Sequence, residues 1–373
     1  MQIKSFITMA LAAVASAQQL TQLLAQTQEL STLNSLLGTN PAITQMLAQM
    51  RDITILAPNN RAFDNFMREN PGAAQNPQAV TAVLQYHVIQ GTVMSNQLTR
   101  EPIFATTMLR QPFANVTGGQ QVELSLMDGR QGMAVSGFKK MSMITKADVR
   151  FDGGVVHILD TVLTMPASVS RTSVDMGWTS TAGALTRTGL VGPVDSANDL
   201  TIFVPNNAAF QRIGGTAQML QPQQLAGILQ YHAVGGQVLT SRDIQQAMAT
   251  GGSVTVRSLT GQPLTVTMQN GRMFVNSARV IMADVLTSNG VIHVLDNVLN
   301  PGAAQAQPNP SQPTQAPAFD GAQGSNNAPF TEGINPTTTV VPARNTINAG
   351  ANGAMPTAAV MGLLGGAAIF ANM

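Results

Sequence analysis

The residues best placed to do chemistry are four histidines, two tyrosines and a few aspartates, and they fall into matched pairs along the 373-residue chain. Tyr86-His87 and Tyr231-His232 are the only tyrosines, each followed directly by a histidine; His157 and His293 stand three residues ahead of Asp160 and Asp296. Histidine is the commonest metal ligand and titrates near neutrality, so these groups would suit a metal site or acid–base work. The surrounding pattern argues against both. The chain has no HExxH pair, and with Cys 0 it has no thiolate ligand, iron–sulfur site, disulfide or cysteine nucleophile. His157 and His293 sit inside the apolar runs VVHIL and VIHVL, where a strand histidine serves as a structural hydrogen-bonding group. Tyr86 and Tyr231 end short helical runs, which predicts inward-packed rings whose hydroxyls find partners. Asp160 and Asp296 either orient the nearby histidine or face solvent. No GxSxG elbow, phosphate-binding glycine loop or dinucleotide fingerprint is present, so neither catalysis nor a bound cofactor or metal is expected.

The elements that must position these residues occur twice. TILAPNNRAF (54–63) returns as TIFVPNNAAF (201–210), VLQYH (83–87) as ILQYH (228–232), and GGVVHILDTVL (153–163) as NGVIHVLDNVL (289–299), in the same order. Their offsets are 147, 145 and 136 residues, so the first copy carries about nine extra residues between its second and third blocks. A fixed order and spacing of this kind means a duplicated domain, near 18–166 and 167–300. Pro58-Asn59-Asn60 and Pro205-Asn206-Asn207 follow an apolar strand and precede Ala-Phe, which suits asparagine caps on the next helix. The leucine spacing over 20–37 predicts a helix, as does QAVTAVLQ (78–85). QVELSLM (121–127), SVTVRSL (253–259) and PLTVTMQ (263–269) alternate as strands, with Asp128-Gly129 and Asn270-Gly271 as tight turns. Helices first and an antiparallel sheet later make each copy α+β.

Charged residues are only 10% of the chain and the formal net charge is +1, so the phosphate-neutralising patch that a nucleic-acid partner requires is lacking. Lys4 precedes an apolar run closed by Ala15-Ser16-Ala17, the pattern of a signal peptide over 1–17. From Pro301 the chain turns rich in Pro, Gln, Ala and Thr, and a flexible, glycosylated stalk is expected over 301–348. Small residues around Asn348, then an apolar uncharged tail, have the order of a glycosylphosphatidylinositol attachment signal, removed as 349–373. Asn115-Val116-Thr117 is the N-glycosylation sequon, expected on an exposed loop.

The threonine-led block ending Pro-Asn-Asn-x-Ala-Phe, the central Tyr-His and the closing Gly-Val-Ile-His-Val-Leu-Asp resemble the fasciclin domain family, and both copies carry all three. Gly153 replaces Asn289 in the first copy. The resemblance covers roughly 18–300 and implies two tandem α+β wedges, extracellular placement, and a role in adhesion or matrix contact without catalysis. It nominates Tyr86, His87, Tyr231 and His232, with Asp148-Val149 and Asp284-Val285, as candidate partner-contact residues. The implied partners are other surface or matrix proteins or wall polysaccharide, with the membrane reached through a lipid anchor.

Overall fold

The structure, a computed structural model, describes residues 19–249 and 251–336. The expected signal peptide over 1–17, the candidate anchor site Asn348 and the tail 349–373 lie outside the described residues.

Each copy begins with three helices: α1 (Leu20–Gln26), α2 (Ser31–Gly38) and α3 (Pro41–Gln49) in the first, α6 (Val169–Asp175), α7 (Thr179–Arg187) and α8 (Val191–Ser196) in the second. The leucine pattern over 20–37 is thus two helices, broken by a 3-10 turn at Gln28–Leu30. A buried strand follows, β1 (Ile53–Pro58) or β8 (Leu200–Pro205). Next come α4 (Asn60–Glu69) and α5 (Pro77–Tyr86) in the first copy, and α9 (Asn207–Arg212), α10 (Gly214–Met219) and α11 (Pro222–Tyr231) in the second. The remaining strands of the first copy are β2 (Val88–Gln90), β3 (Ile103–Thr106), β4 (Gln121–Met127), β5 (Gln131–Val135), β6 (Met141–Phe151) and β7 (Gly154–Leu159). In the second they are β9 (Ala233–Val234), β10 (Ser253–Arg257), β11 (Pro263–Gln269), β12 (Arg272–Val275), β13 (Ala278–Thr287) and β14 (Gly290–Leu295), with α12 (Ser241–Met248) inserted after β9.

Both sheets have seven strands, in the order β2-β1-β7-β6-β5-β4-β3 and, from its other edge, β9-β8-β14-β13-β12-β11-β10. They are antiparallel except that β1 pairs parallel with β7 and β8 with β14. The expected antiparallel wedge is present in each copy, with this one parallel pair added to it. Strands buried on both faces read as unbroken apolar runs, which is why ITILAP and LTIFVP show no alternation. Gly154 and Gly290 open the closing motifs because a Cβ there would stand 1.9 Å and 1.8 Å from the carbonyl oxygens of Ile53 and Leu200 on the parallel neighbour. At the predicted turns, Asp128, Gly129, Asn270 and Gly271 all have positive φ.

The two domains touch. The loop 107–120 between β3 and β4 is far longer than its counterpart 258–262, and it carries much of the first copy's added length. It clasps the second domain. The Asn115 amide donates to Ser288 O at 2.7 Å, the Thr117 amide and hydroxyl donate to the Asp199 carboxylate at 2.7 and 2.5 Å, and Gln120 Nε2 donates to Thr287 O at 2.9 Å. The sequon therefore lies on a loop held between domains, with Asn115 half-buried, rather than on a free exposed loop. Nearby, the turn Gly137–Lys139 lies against β13. Lys139 there forms a buried 2.7 Å ion pair with Glu123. Burial pushes the Glu123 carboxyl up and Lys139 opposes this; Asp284 of the second domain pushes it up further.

The expected flexible stalk does not begin at Pro301. Residues 301–336 lie along the second domain as a strap. Asn297 and Asn300 donate to the carbonyls of Ala316 and Ala318, Ser180 Oγ donates to Pro329 O at 2.8 Å, and Gln211 Nε2 to Asn326 O at 2.8 Å. Phe330 meets Phe210 edge-on at 6.1 Å between centroids, under the Arg187 guanidinium. Gly183 is required here, because a Cβ would stand 1.7 Å from Phe330 O. Composition suggested disorder because the strap has few large apolar residues, but Phe319 and Phe330 with backbone hydrogen bonding suffice to seat it.

Candidate functional site

In each domain the repeated residues converge on one polar framework between sheet and helices. His87 caps α5, its Nδ1–H donating to Val83 O at 2.7 Å while its Nε2 accepts the Leu163 amide at 2.9 Å. His232 repeats this with Ile228 O at 2.7 Å and the Leu299 amide at 2.9 Å. Each ring, neutral, ties a helix end to the strand exit after the closing motif. Burial without a compensating negative charge pushes both imidazoles down to about 4. Tyr86 donates to Gln121 O at 3.1 Å and Tyr231 to Pro263 O at 3.0 Å, so each hydroxyl reaches the first residue of β4 or β11. Burial pushes both phenols up.

The second histidine of each copy closes a different loop of bonds. His157 Nε2 donates to Val93 O at 2.7 Å and its Nδ1 accepts the Asp148 amide at 3.1 Å. The Asp148 carboxylate accepts both the amide and the hydroxyl of Ser95. His293, Leu239, Asp284 and Ser241 repeat the pattern, with Ser241 Oγ 2.5 Å from the Asp284 carboxylate. Asp148 and Asp284 have φ 59° and 60°, at bulges in β6 and β13, which turns their carboxylates toward the serine. Burial raises the Asp148 carboxyl, but the two Ser95 bonds outweigh it and hold the group below its ordinary value. Thr54 and Thr201 complete the framework: each hydroxyl donates to a carbonyl (Gly91, Gln237) and accepts an amide (Val93, Leu239), every bond 2.8 Å.

Asn59 and Asn206 cap α4 and α9, accepting the amides of Ala62 and Ala209. Asn60 and Asn207 do another job. Asn60 accepts the Thr32 amide and donates to Gln28 O; Asn207 accepts the Ser180 amide and donates to Gly177 O, so each fastens the start of α2 or α7. Pro58 and Pro205 end the buried strands. Asp160 and Asp296 neither orient the histidines nor stand free in solvent. Asp160 accepts the Met143 amide at 2.8 Å, and Asp296 accepts the amides of Arg279 and Gln315.

Burial revises the nominated contact patch. Tyr86, His87, Tyr231, His232, Asp284 and Val285 are all buried and present no surface to a partner. Asp284 is covered where the first domain docks, whereas Asp148 and Val149 stay half-exposed, flanked by exposed Lys146, Ala147 and Arg150. What sequence reasoning missed is Thr54, Thr201, Ser95 and Ser241. The threonine that leads both copies of the first block was the available signal; the serines, outside any repeated block, gave none. Among the described residues no group of three or more His, Asp or Glu could hold a metal ion.

Two copies of a helix-backed mixed sheet, each stapled by a buried Tyr-His pin and by a His-Asp-Ser pin, define a tandem two-domain α+β protein. The fasciclin domain model matches residues 28–166 and 176–301, and the chain belongs to that family. It is similar to a fasciclin-like arabinogalactan protein of Arthroderma benhamiae, 34% identical over 92% of this chain and 80% of the relative. A second relative, fasciclin-like arabinogalactan protein elcF of Phaeosphaeria nodorum, is 31% identical over 78% of this chain and 91% of its own length. Among solved structures, a FAS1 domain pair of the insect cell adhesion molecule fasciclin I aligns at 19% identity and TM-score 0.37, over 73% of this chain and 97% of that one.

Proposed function

We propose that this chain is an extracellular interaction protein that presents two docked fasciclin domains at a cell surface or in a wall, and that it performs no catalysis. The observation that carries the reading is that every ring nitrogen of the four motif histidines is taken by a backbone group, and both motif tyrosines are buried with their hydroxyls on carbonyls. Residues that could react are held as pins, and the exposed surface is polar with few charges. Such a surface suits weak contacts multiplied by many displayed copies. In this reading residues 1–17 direct secretion, Asn115 carries a glycan, and 349–373 are exchanged for a lipid anchor at Asn348. The partner is a surface or matrix protein or wall polysaccharide, met in part through Asp148 and Val149. Among the described residues no helix is long and apolar enough to cross a membrane. Phosphatidylinositol-specific phospholipase treatment of intact cells should release the protein. Retention on the cells together with absence of incorporated lipid label would remove the anchor from the account.

A further inference from the structure

The same interlayer space, bounded by the first helices, the buried strand and the Tyr-His helix, is occupied differently in the two domains. In the first domain it is nearly closed, about 20 Å³, by Leu33, Leu37, Leu47 and Val88 among others. In the second it is a cavity of about 100 Å³ that reaches solvent. The difference is written in side chains. Asn60 fastens Thr32 as Asn207 fastens Ser180, so α2 and α7 align with Thr181 where Leu33 stands and Leu185 where Leu37 stands. Likewise His232 aligns with His87, so Ala233 stands where Val88 does. Thr181 and Ala233 both line the larger cavity.

The wall is built to stay open. Asn289 donates to the carbonyls of Val194 and Ala197 at 2.8 and 2.9 Å and so holds the α8 end of the cavity in place; the first copy has Gly153 there. The lining is chemically closed to polar ligands. Thr181 donates its hydroxyl to Pro205 O at 2.9 Å, and both His232 ring nitrogens are engaged. Pro193, Gln230 and Leu259, the exposed members of the lining, mark the mouth, and Leu259 is 52% exposed despite being a large apolar residue.

We propose that the second domain binds a hydrocarbon group of about six carbons in this cavity, the apolar end of an amphiphile whose polar part stays at the mouth beside Gln230. A dry apolar cavity of about 150 Å³ takes benzene, so a volume somewhat smaller suits a ring or a short chain end of that order. The first domain, with Leu33 and Val88 in place, does not bind it.

The test titrates the full chain with benzyl alcohol (ring) and hexanol (chain) by ligand-observed saturation-transfer NMR, with dissolved 129-xenon shifts as a variant-free readout. Saturable binding at one site is expected. Thr181→Leu with Ala233→Val, which import the first domain's side chains, should weaken it at least tenfold while the protein stays folded by circular dichroism. Whichever probe binds more tightly tells a ring from a chain. Absence of any saturable xenon or probe binding to the wild type would overturn the proposal, as would unchanged binding in the folded double variant. Should that variant not fold, Leu259→Lys at the exposed mouth takes its place, and unchanged affinity there for both alcohols would count equally against it.

Discussion

Acidification should destabilise the second domain, because burial pushes the imidazoles of His232 and His293 down and each refuses a proton that the unfolded chain takes; His232 shows how. Its Nε2 must accept the Leu299 amide and its Nδ1–H must donate to Ile228 O, an arrangement only the neutral ring can satisfy. The ring titrates at about 4 when folded against 6.5 when free, so between those values the unfolded chain binds a proton that the folded chain refuses. Stability is therefore fully present above about pH 6.5 and falls as pH drops toward 4. The loss grows as pH falls through this range and approaches about 3 kcal/mol below pH 4. Glu123 and Asp296, whose carboxyls are raised by burial, act in the opposite sense and blunt the fall. Trp178, the one tryptophan and buried in the second domain, gives a domain-specific assay: urea unfolding by its fluorescence at several pH values from 7.5 to 4.5. His232→Gln should lower stability throughout yet flatten the pH dependence. A wild-type midpoint that does not move over this range, or a variant as steep as wild type, would refute the pinning argument.

Three further outcomes follow from the same geometry. Asn59→Ala and Asn206→Ala should each cost about 1 kcal/mol of stability by losing a helix cap, and Asn207→Ala more, because it breaks all three of its bonds to the start of α7, at Gly177 O, Thr179 Oγ1 and the Ser180 amide; denaturant midpoints decide this. Lys139→Met leaves Glu123 buried without its partner and should cost about 3–5 kcal/mol; adding Glu123→Leu should recover most of it, which a double-mutant cycle in urea measures. Ending the chain at residue 303 removes the strap, uncovering Phe210 and the small residues of α7. The Trp178-reported melt should then shift downward and hydrogen exchange in α7 should quicken, while α2 keeps its protection.

The duplication made most of the fold legible. Matched blocks placed two domains, and alternation located β4 and β11 at their observed limits. The parallel pair was not legible, because its partners are about a hundred residues apart and a strand buried on both faces shows no period that reveals direction. The repetition of the Tyr-His and His-Asp blocks marks them out in the sequence, but a side chain's exposure depends on what packs over it. Asp148 and Asp284 occupy one position in the repeat, yet docking of the first domain covers only the second. The strap misled for a related reason. A Pro-rich segment that cannot make a core of its own can still lie on one already built, anchored by Phe330 and by side chains such as Asn297 and Asn300 that the second domain supplies.

Coupling residues 18–348 to beads, and scoring bead clustering and capture of cells or wall material, measures whether the displayed domains make contacts. The folded wild type should attach, with attachment that rises steeply with surface density and weakens in Asp148→Asn, while Tyr86→Phe, altered at a buried position, attaches as wild type does. Folded protein that neither clusters beads nor captures any surface at high density would contradict the proposed contact role.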